Sequence, residues 1–180
     1  MLVSLRSRRI GVIGLGDVGL PLAVESGQRF DSVGFDVIAN RIRALYAGRV
    51  ASLKATRREL RAATRLGFTA NPSGLKRCRV FTVTVPSPID EHKRLDLGPL
   101  RRASETVGRM CKRGDVVVYE STVYPGYTEE ICVPILEQGS GLRFNKDFFS
   151  RYSPERINLG DQHHRLANIR KVTADSDGRR

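Results

Sequence analysis

The stretch Arg9-Ile10-Gly11-Val12-Ile13-Gly14-Leu15-Gly16-Asp17-Val18-Gly19 decides the fold. A short apolar run leads directly into Gly-x-Gly-x-x-Gly at Gly14, Gly16 and Gly19, the order taken by a buried strand, a tight turn and a helix. Each glycine has its own expected task. Gly14 permits the turn, Gly16 lets backbone approach a pyrophosphate, and Gly19 lets the helix pack closely on the strand. The helix would then present unpaired N–H groups and the positive end of its dipole to phosphate.

Further along, Ser32-Val33-Gly34-Phe35 is a second apolar run, and it delivers Asp36 twenty residues after Gly16. A carboxylate at that spacing can accept the hydroxyls of an adenine-side ribose. A glycine-rich hairpin in an unrelated α/β protein is the alternative, and the acid-terminated second run favours the nucleotide reading. Asp36 predicts NAD over NADP, because a 2′-phosphate would meet like charge. Arg41, five residues on, is within reach of the same pocket and tempers that preference.

Alternating apolar runs and helical patterns extend along the chain. Helices are expected over 18–28, 38–47, 56–64, 100–110 and 128–136, and strands over 33–35, 66–69, 79–85, 116–119 and 143–150. Pro21 is tolerated because it falls in the first helical turn. The pattern defines an α/β, Rossmann-like doubly wound fold: a mostly parallel sheet with helices on both faces. The chain of 180 residues suits one such domain. Residues 174–180 are polar and expected to fray.

Composition removes several classes. With 40% hydrophobic residues the chain can build an ordinary core, and no apolar run is long enough to span a bilayer or serve as a signal peptide. A net charge of +12 invites a nucleic-acid reading. Yet the cations are scattered along the length, without interleaved aromatics for stacking bases, so they read as a solvated surface. No nucleic acid or membrane is expected as a partner. The three cysteines, Cys78, Cys111 and Cys132, lack metal-ligand or paired spacing and fit a reducing, cytoplasmic setting. No metal site is expected. His92 reads as a solvated loop residue, and the adjacent His163 and His164 as surface.

Candidate chemistry gathers at strand ends. Val85-Pro86-Ser87 ends the fourth strand, with Pro86 stopping the ladder, and should line the nicotinamide side of the crevice. After the fifth strand comes Ser121-Thr122, where Thr122 either positions a water or polar ligand group, or caps a turn. Glu155, in Tyr152-Ser153-Pro154-Glu155-Arg156, either serves as a base or pairs with Arg156 at the surface.

Over about residues 9–173 the chain resembles the UDP-glucose/GDP-mannose dehydrogenase superfamily, and within it the UDP-N-acetylglucosamine and UDP-N-acetylgalactosamine 6-dehydrogenases of bacterial surface-polysaccharide synthesis. The resemblance rests on residues 10–23, on Thr84-Val85-Pro86-Ser87-Pro88-Ile89-Asp90, on residues 119–130 and on Tyr152-Ser153-Pro154-Glu155-Arg156-Ile157-Asn158. It implies oxidation of a sugar C6 alcohol to a carboxylate by two hydride transfers to NAD, through an aldehyde and a cysteine thioester. On these positions it implies adenosine-diphosphate contacts at Gly14, Gly16, Val18, Asp36 and Arg41, and a crevice lined by Val85, Pro86 and Ser87 with Ser121 nearby. Thr122 would hold the water or oxyanion, and Glu155 would relay a proton. The resemblance further implies that the chain is the NAD-binding half, residues 1–173. The dimerising central helix and the sugar-nucleotide domain with its cysteine nucleophile would be absent, and the tail would be consistent with a shifted reading frame. Full oxidation by the chain alone is therefore not expected. Two residues depart from the family pattern. Asp17 stands in place of a tyrosine and sets a carboxylate beside the phosphate turn, while Tyr127 replaces a smaller residue.

Overall fold

The computed structural model describes residues 8–50, 55–88, 95–121, 123–124, 126–153 and 174–175. The chain runs β1 (Arg9–Ile13), α1 (Gly19–Arg29), β2 (Ser32–Phe35), α2 (Ala39–Tyr46), α3 (Arg57–Ala62), β3 (Leu66–Thr69), β4 (Cys78–Val83), α4 (Gly98–Gly108), β5 (Val116–Tyr119), α5 (Val133–Ser140), β6 (Phe149–Tyr152) and β7 (Ala174–Asp175). The sheet order is β3-β2-β1-β4-β5-β6-β7. All pairings are parallel except β6 with β7. The chain winds outward from β1 to β3, then returns to place β4 on the other side of β1. That reversal opens a crevice beyond the carboxyl ends of β1 and β4.

Side-chain alternation in the strands builds one core on each face of the sheet. Ile10 and Val12 pack with Leu20, Ala23 and Val24 of α1 and with Ile42 and Leu45 of α2. Ile13, Phe35, Phe81 and Val83 pack on the other face with Leu100 and Val107 of α4 and Leu136 of α5. The doubly wound arrangement expected from the sequence is therefore present.

Several boundaries differ from expectation: β4 ends at Val83, before Val85 and Pro86, and three larger differences have a local reason. The sixth strand begins at Phe149 rather than 143, because Asn145 adopts a left-handed φ of 56° and the Asp147 carboxylate accepts the Arg143 N–H. Asn and Asp favour such turns, so 143–147 bend before the strand can form. The helix expected over 128–136 starts with a wide, π-type turn at Thr128–Cys132 and continues as α5. Pro134 lacks an N–H for the Glu130 carbonyl and its ring crowds it, which widens the turn. Ala174 and Asp175, expected in the polar tail, pair antiparallel with Tyr152 and Arg151.

Several cations have structural partners. The fully buried Asp115, at the sheet end opposite the crevice, receives Arg79 Nε at 2.8 Å and the Lys112 backbone N–H at 2.7 Å. The Lys112 ammonium also donates to the carbonyls of Lys76, Cys78 and Met110. Part of the basic excess thus anchors the fold. Among the described residues no helix is long and apolar enough to cross a membrane.

Candidate cofactor crevice

Gly14, at φ +91°, turns the chain out of β1 and into α1. The turn is pinned from two sides. Gly14 N donates to Phe35 O at 2.8 Å, and the Thr84 hydroxyl donates to Gly14 O at 2.8 Å and lies 3.0 Å from Ile13 O. Gly19 is fixed by packing, because an added Cβ would sit 1.8 Å from Gly14 O and 2.3 Å from the Thr84 hydroxyl. At Gly16, by contrast, a Cβ would find nothing within 4 Å. No side chain caps the N-terminus of α1, which leaves N–H groups of its opening turn for solvent or a ligand.

A crevice of about 770 Å³ opens over this turn. Gly14, Gly16, Asp17 and Val18 form its floor, and Asp36, Val37, Ile38 and Arg41 its wall on the β2 side. Val85, Pro86 and Ser87 after β4, with Glu120 and Ser121 after β5, close the other end. Pro99, Arg102, Ala103 and Thr106 line it from one face of α4. The structure thus brings Gly14, Gly16, Val18, Asp36, Arg41, Val85, Pro86, Ser87 and Ser121 to one cavity. Thr122, Glu155, His92, His163 and His164 lie outside the described residues.

Asp36 is only 4% exposed. Its Oδ2 accepts the Leu15 N–H at 2.9 Å and Arg41 at 2.5 Å, and its Oδ1 accepts the Ile38 N–H at 2.9 Å. A carboxylate offers about four acceptor sites, so with three occupied a further hydroxyl can still be taken. Arg41 reaches the pocket, as its spacing suggested, and its charge is engaged by Asp36. At the opposite end the Ser121 hydroxyl donates to Val85 O at 2.6 Å and ties the ends of β5 and β4 together. The Ser87 Oγ, on the crevice wall, is buried without a hydrogen-bond partner among the described residues. An open cradle at Gly16, a buried acceptor at Asp36 and an orphaned hydroxyl at Ser87 fit a long polar ligand of the dinucleotide kind.

Sequence reasoning missed Thr84, Arg102 and Glu120 as members of the site. Thr84 could have been noticed as a hydroxyl at a strand end, whereas the place of Arg102 and Glu120 depends on how α4 and β5 pack against the crevice. Tyr127, an oversized residue by the family pattern, is buried and meets Tyr124 edge-on with ring centroids 5.2 Å apart.

The cysteines sit away from this chemistry, free and buried. Burial, the largest cause, pushes the thiols of Cys78 and Cys132 up to about 11 and that of Cys111 up to about 12, from a usual 9.0. At neutral pH they are unreactive thiols. Their folded values lie above the unfolded one, so the unfolded chain loses its protons first as pH rises. Their stabilising contribution is present below pH 9.0 and fades between there and about 12. Titration with a thiol reagent at neutral pH should label these cysteines only after denaturation, and denaturant midpoints should fall above about pH 9. Labelling of native protein at neutral pH would contradict the burial. Among the described residues no group of three His, Cys, Asp or Glu side chains could hold a metal.

Sheet order, switch-point crevice and glycine turn place the protein among the Rossmann-like, doubly wound α/β domains. The chain belongs to the UDP-glucose/GDP-mannose dehydrogenase family, whose NAD binding domain matches residues 8–177. It is 56% identical over 172 residues to a Pseudomonas aeruginosa UDP-N-acetyl-D-glucosamine 6-dehydrogenase, covering 96% of this chain and 41% of that protein. It is likewise 56% identical over 168 residues to the Salmonella typhi enzyme of the same name, covering 93% and 40%. Among solved structures, the NDP-N-acetyl-D-galactosaminuronic acid dehydrogenase of Methanosarcina mazei Go1 superposes with a TM-score of 0.85 at 28% identity, covering 96% of this chain and 40% of that one. The chain therefore spans about two-fifths of the length of these relatives.

Proposed function

We propose that this chain holds NAD for the oxidation of the C6 hydroxyl of a UDP-N-acetylhexosamine, UDP-N-acetylglucosamine or UDP-N-acetylgalactosamine, to the uronic acid. When bound, NAD supplies the hydride acceptor. The observation that carries the reading is the crevice with Asp36 at one end, the Gly16 cradle at its centre and, toward the other, the Ser87 hydroxyl that has no partner among the described residues. Asp36 takes the adenine-side ribose, and the turn from Gly14 to Val18 takes the diphosphate on its N–H groups. Val85, Pro86, Ser87 and Ser121 border the nicotinamide. NAD is favoured over NADP because Arg41 is engaged by Asp36 and a 2′-phosphate would face that carboxylate. Thr122 and Glu155 are assigned to water positioning and proton relay by resemblance alone. The names of the 56%-identical relatives support the substrate class. We place the reaction in the cytoplasm, in the synthesis of surface polysaccharide.

The test is direct. The 180-residue chain, titrated calorimetrically, should bind NAD more tightly than NADP. Mixed with NAD and UDP-N-acetylglucosamine it should produce no reduced cofactor, because the residues assigned here hold the cofactor and not the sugar. Failure to bind NAD would overturn the reading, and turnover by the chain alone would overturn its restriction to cofactor binding.

Asp17 bears on the same affinity. It is exposed on the crevice floor, beside the backbone assigned to the diphosphate. Asp17→Tyr removes that repulsion and should tighten NAD about threefold, the scale of one exposed charge interaction. Unchanged calorimetric affinity would show that solvent screens the carboxylate completely.

A further inference from the structure

The basic excess, scattered along the sequence, is partly gathered by the fold at the sheet end opposite the crevice. Strands β1, β4 and β5 run parallel and start side by side, so Arg8, Lys76, Arg77, Arg79, Lys112 and Arg113 meet around their first residues. The acids here lie underneath. Asp115, fully buried, takes Arg79, and Asp147, 7% exposed, takes Arg113 at 2.6 Å. The segments 8–9, 76–79 and 112–115 contain no carboxylate besides Asp115, and Asp31, exposed just before β2, borders the patch on one side. Several of the cations are also held in place. Arg8 Nη1 donates to Gly114 O at 2.8 Å, Arg79 Nη2 to Arg113 O, and Lys112 Nζ to three carbonyls. Donors exceed acceptors at this end, and the Nε of Arg9 is buried without a hydrogen-bond partner among the described residues.

We propose that this end of the sheet is a docking face for an anionic bilayer surface, which it meets through the phosphate headgroups. The cations spread in two dimensions, across three neighbouring strands about 10 Å wide at the usual spacing and along the loop before β5, which fits a charged plane. Arginines already held by backbone carbonyls lose little freedom on docking, and with five donors each guanidinium keeps several for phosphate. Each Lys or Arg brought within a Debye length of an anionic leaflet adds to the attraction. Nucleic acid fits the face less well. Segments 8–9, 76–79 and 112–115 contain no aromatic residue on which a base could stack. Helices α1 and α4 follow β1 and β4 and therefore begin at the crevice end, so neither offers its N-terminus here to enter a groove. Docked in this way, the chain keeps its crevice turned from the bilayer and open. The inference does not depend on which ligand the crevice takes.

The test is co-sedimentation of the 180-residue chain with vesicles of phosphatidylcholine alone, and of phosphatidylcholine and phosphatidylglycerol in equal parts. The chain should bind the anionic vesicles at least about tenfold more tightly, and leave them in about 0.5 M salt, where charges are screened within about 5 Å. The double variant Lys76→Glu/Arg77→Glu reverses two exposed cations whose side chains make no described hydrogen bond, and should weaken that binding at least about thirtyfold. Lys76→Gln/Arg77→Gln, the milder pair, should weaken it about tenfold. Arg57→Glu/Arg58→Glu, exposed at the start of α3 and outside the patch, changes the net charge equally and should leave binding within about twofold. Urea midpoints equal to that of the parent chain show that each variant is folded. Equal binding to neutral vesicles, or binding to neither kind, would overturn the proposal. Equal weakening by the two double reversals would overturn it too, by reducing the effect to net charge. Tighter binding of duplex DNA than of anionic vesicles in the same buffer would overturn it in favour of a nucleic-acid partner.

Discussion

Gly19→Ala should destabilise the chain by about 3 kcal/mol or more and abolish ordered cofactor binding. The added methyl would lie 1.8 Å from Gly14 O, 2.9 Å from Gly14 C and 2.3 Å from the Thr84 hydroxyl. None of these can withdraw cheaply. Gly14 is the hinge of the turn, and its carbonyl is held by the same Thr84 hydroxyl that would be struck. Helix α1 must therefore lift from β1, opening the core formed by Val12, Leu20, Ala23 and Val24. Gly16→Ala makes the informative comparison. Its Cβ meets no protein atom within 4 Å, so stability should hold within about 0.5–1 kcal/mol while cofactor affinity falls. Urea denaturation and NAD titration on both variants separate the two effects. A cost below about 1 kcal/mol for Gly19→Ala would mean the helix can slide along the strand without penalty.

Asp36→Ala should weaken NAD about a hundredfold and erase most of the discrimination against NADP. It removes the acceptor assigned to the ribose, and leaves the N–H of the buried Leu15 without its partner. An orphaned buried donor and a lost charge-assisted hydrogen bond each cost about 1–3 kcal/mol, which sets the scale. Arg41 loses its counter-charge at the same time and becomes available to a phosphate. Asp36→Asn keeps an acceptor while removing the charge, so its NAD affinity should fall between those of the parent chain and the alanine variant. Calorimetric titration with both cofactors reads all of this. Equal affinity for NAD and NADP in the unmutated chain would remove the role given to the carboxylate.

What could be read ahead of the structure depended on how local the cause was. The glycine spacing, the apolar runs and the acid after β2 are each set by backbone geometry within a few residues, so they were legible directly. Strand β3 likewise lies at Leu66–Thr69, where its apolar pattern puts it. The start of β6 was not legible, because the turn at Asn145 and Asp147 interrupts an aromatic-rich stretch that by composition reads as continuous strand. In the site the same division holds. Asp36 follows from its distance along the chain after Gly16, whereas Glu120 follows an apolar run like many others, and its neighbours in the crevice come from distant segments.

A doubly wound α/β domain, with a phosphate turn after β1 and an acid after β2, was already written in the order of the residues. Those features follow from side-chain alternation and from glycine's backbone freedom, which act over a few residues at a time. Three others waited on the folded chain: the hold of Asp36 on Arg41, the pinning of the glycine turn by Thr84, and the sharing of one crevice by Glu120 and Asp36. Each depends on segments that lie apart in the sequence or on a side chain's direction across the site. Those meet only once the order β3-β2-β1-β4-β5 has been set by packing on both faces of the sheet.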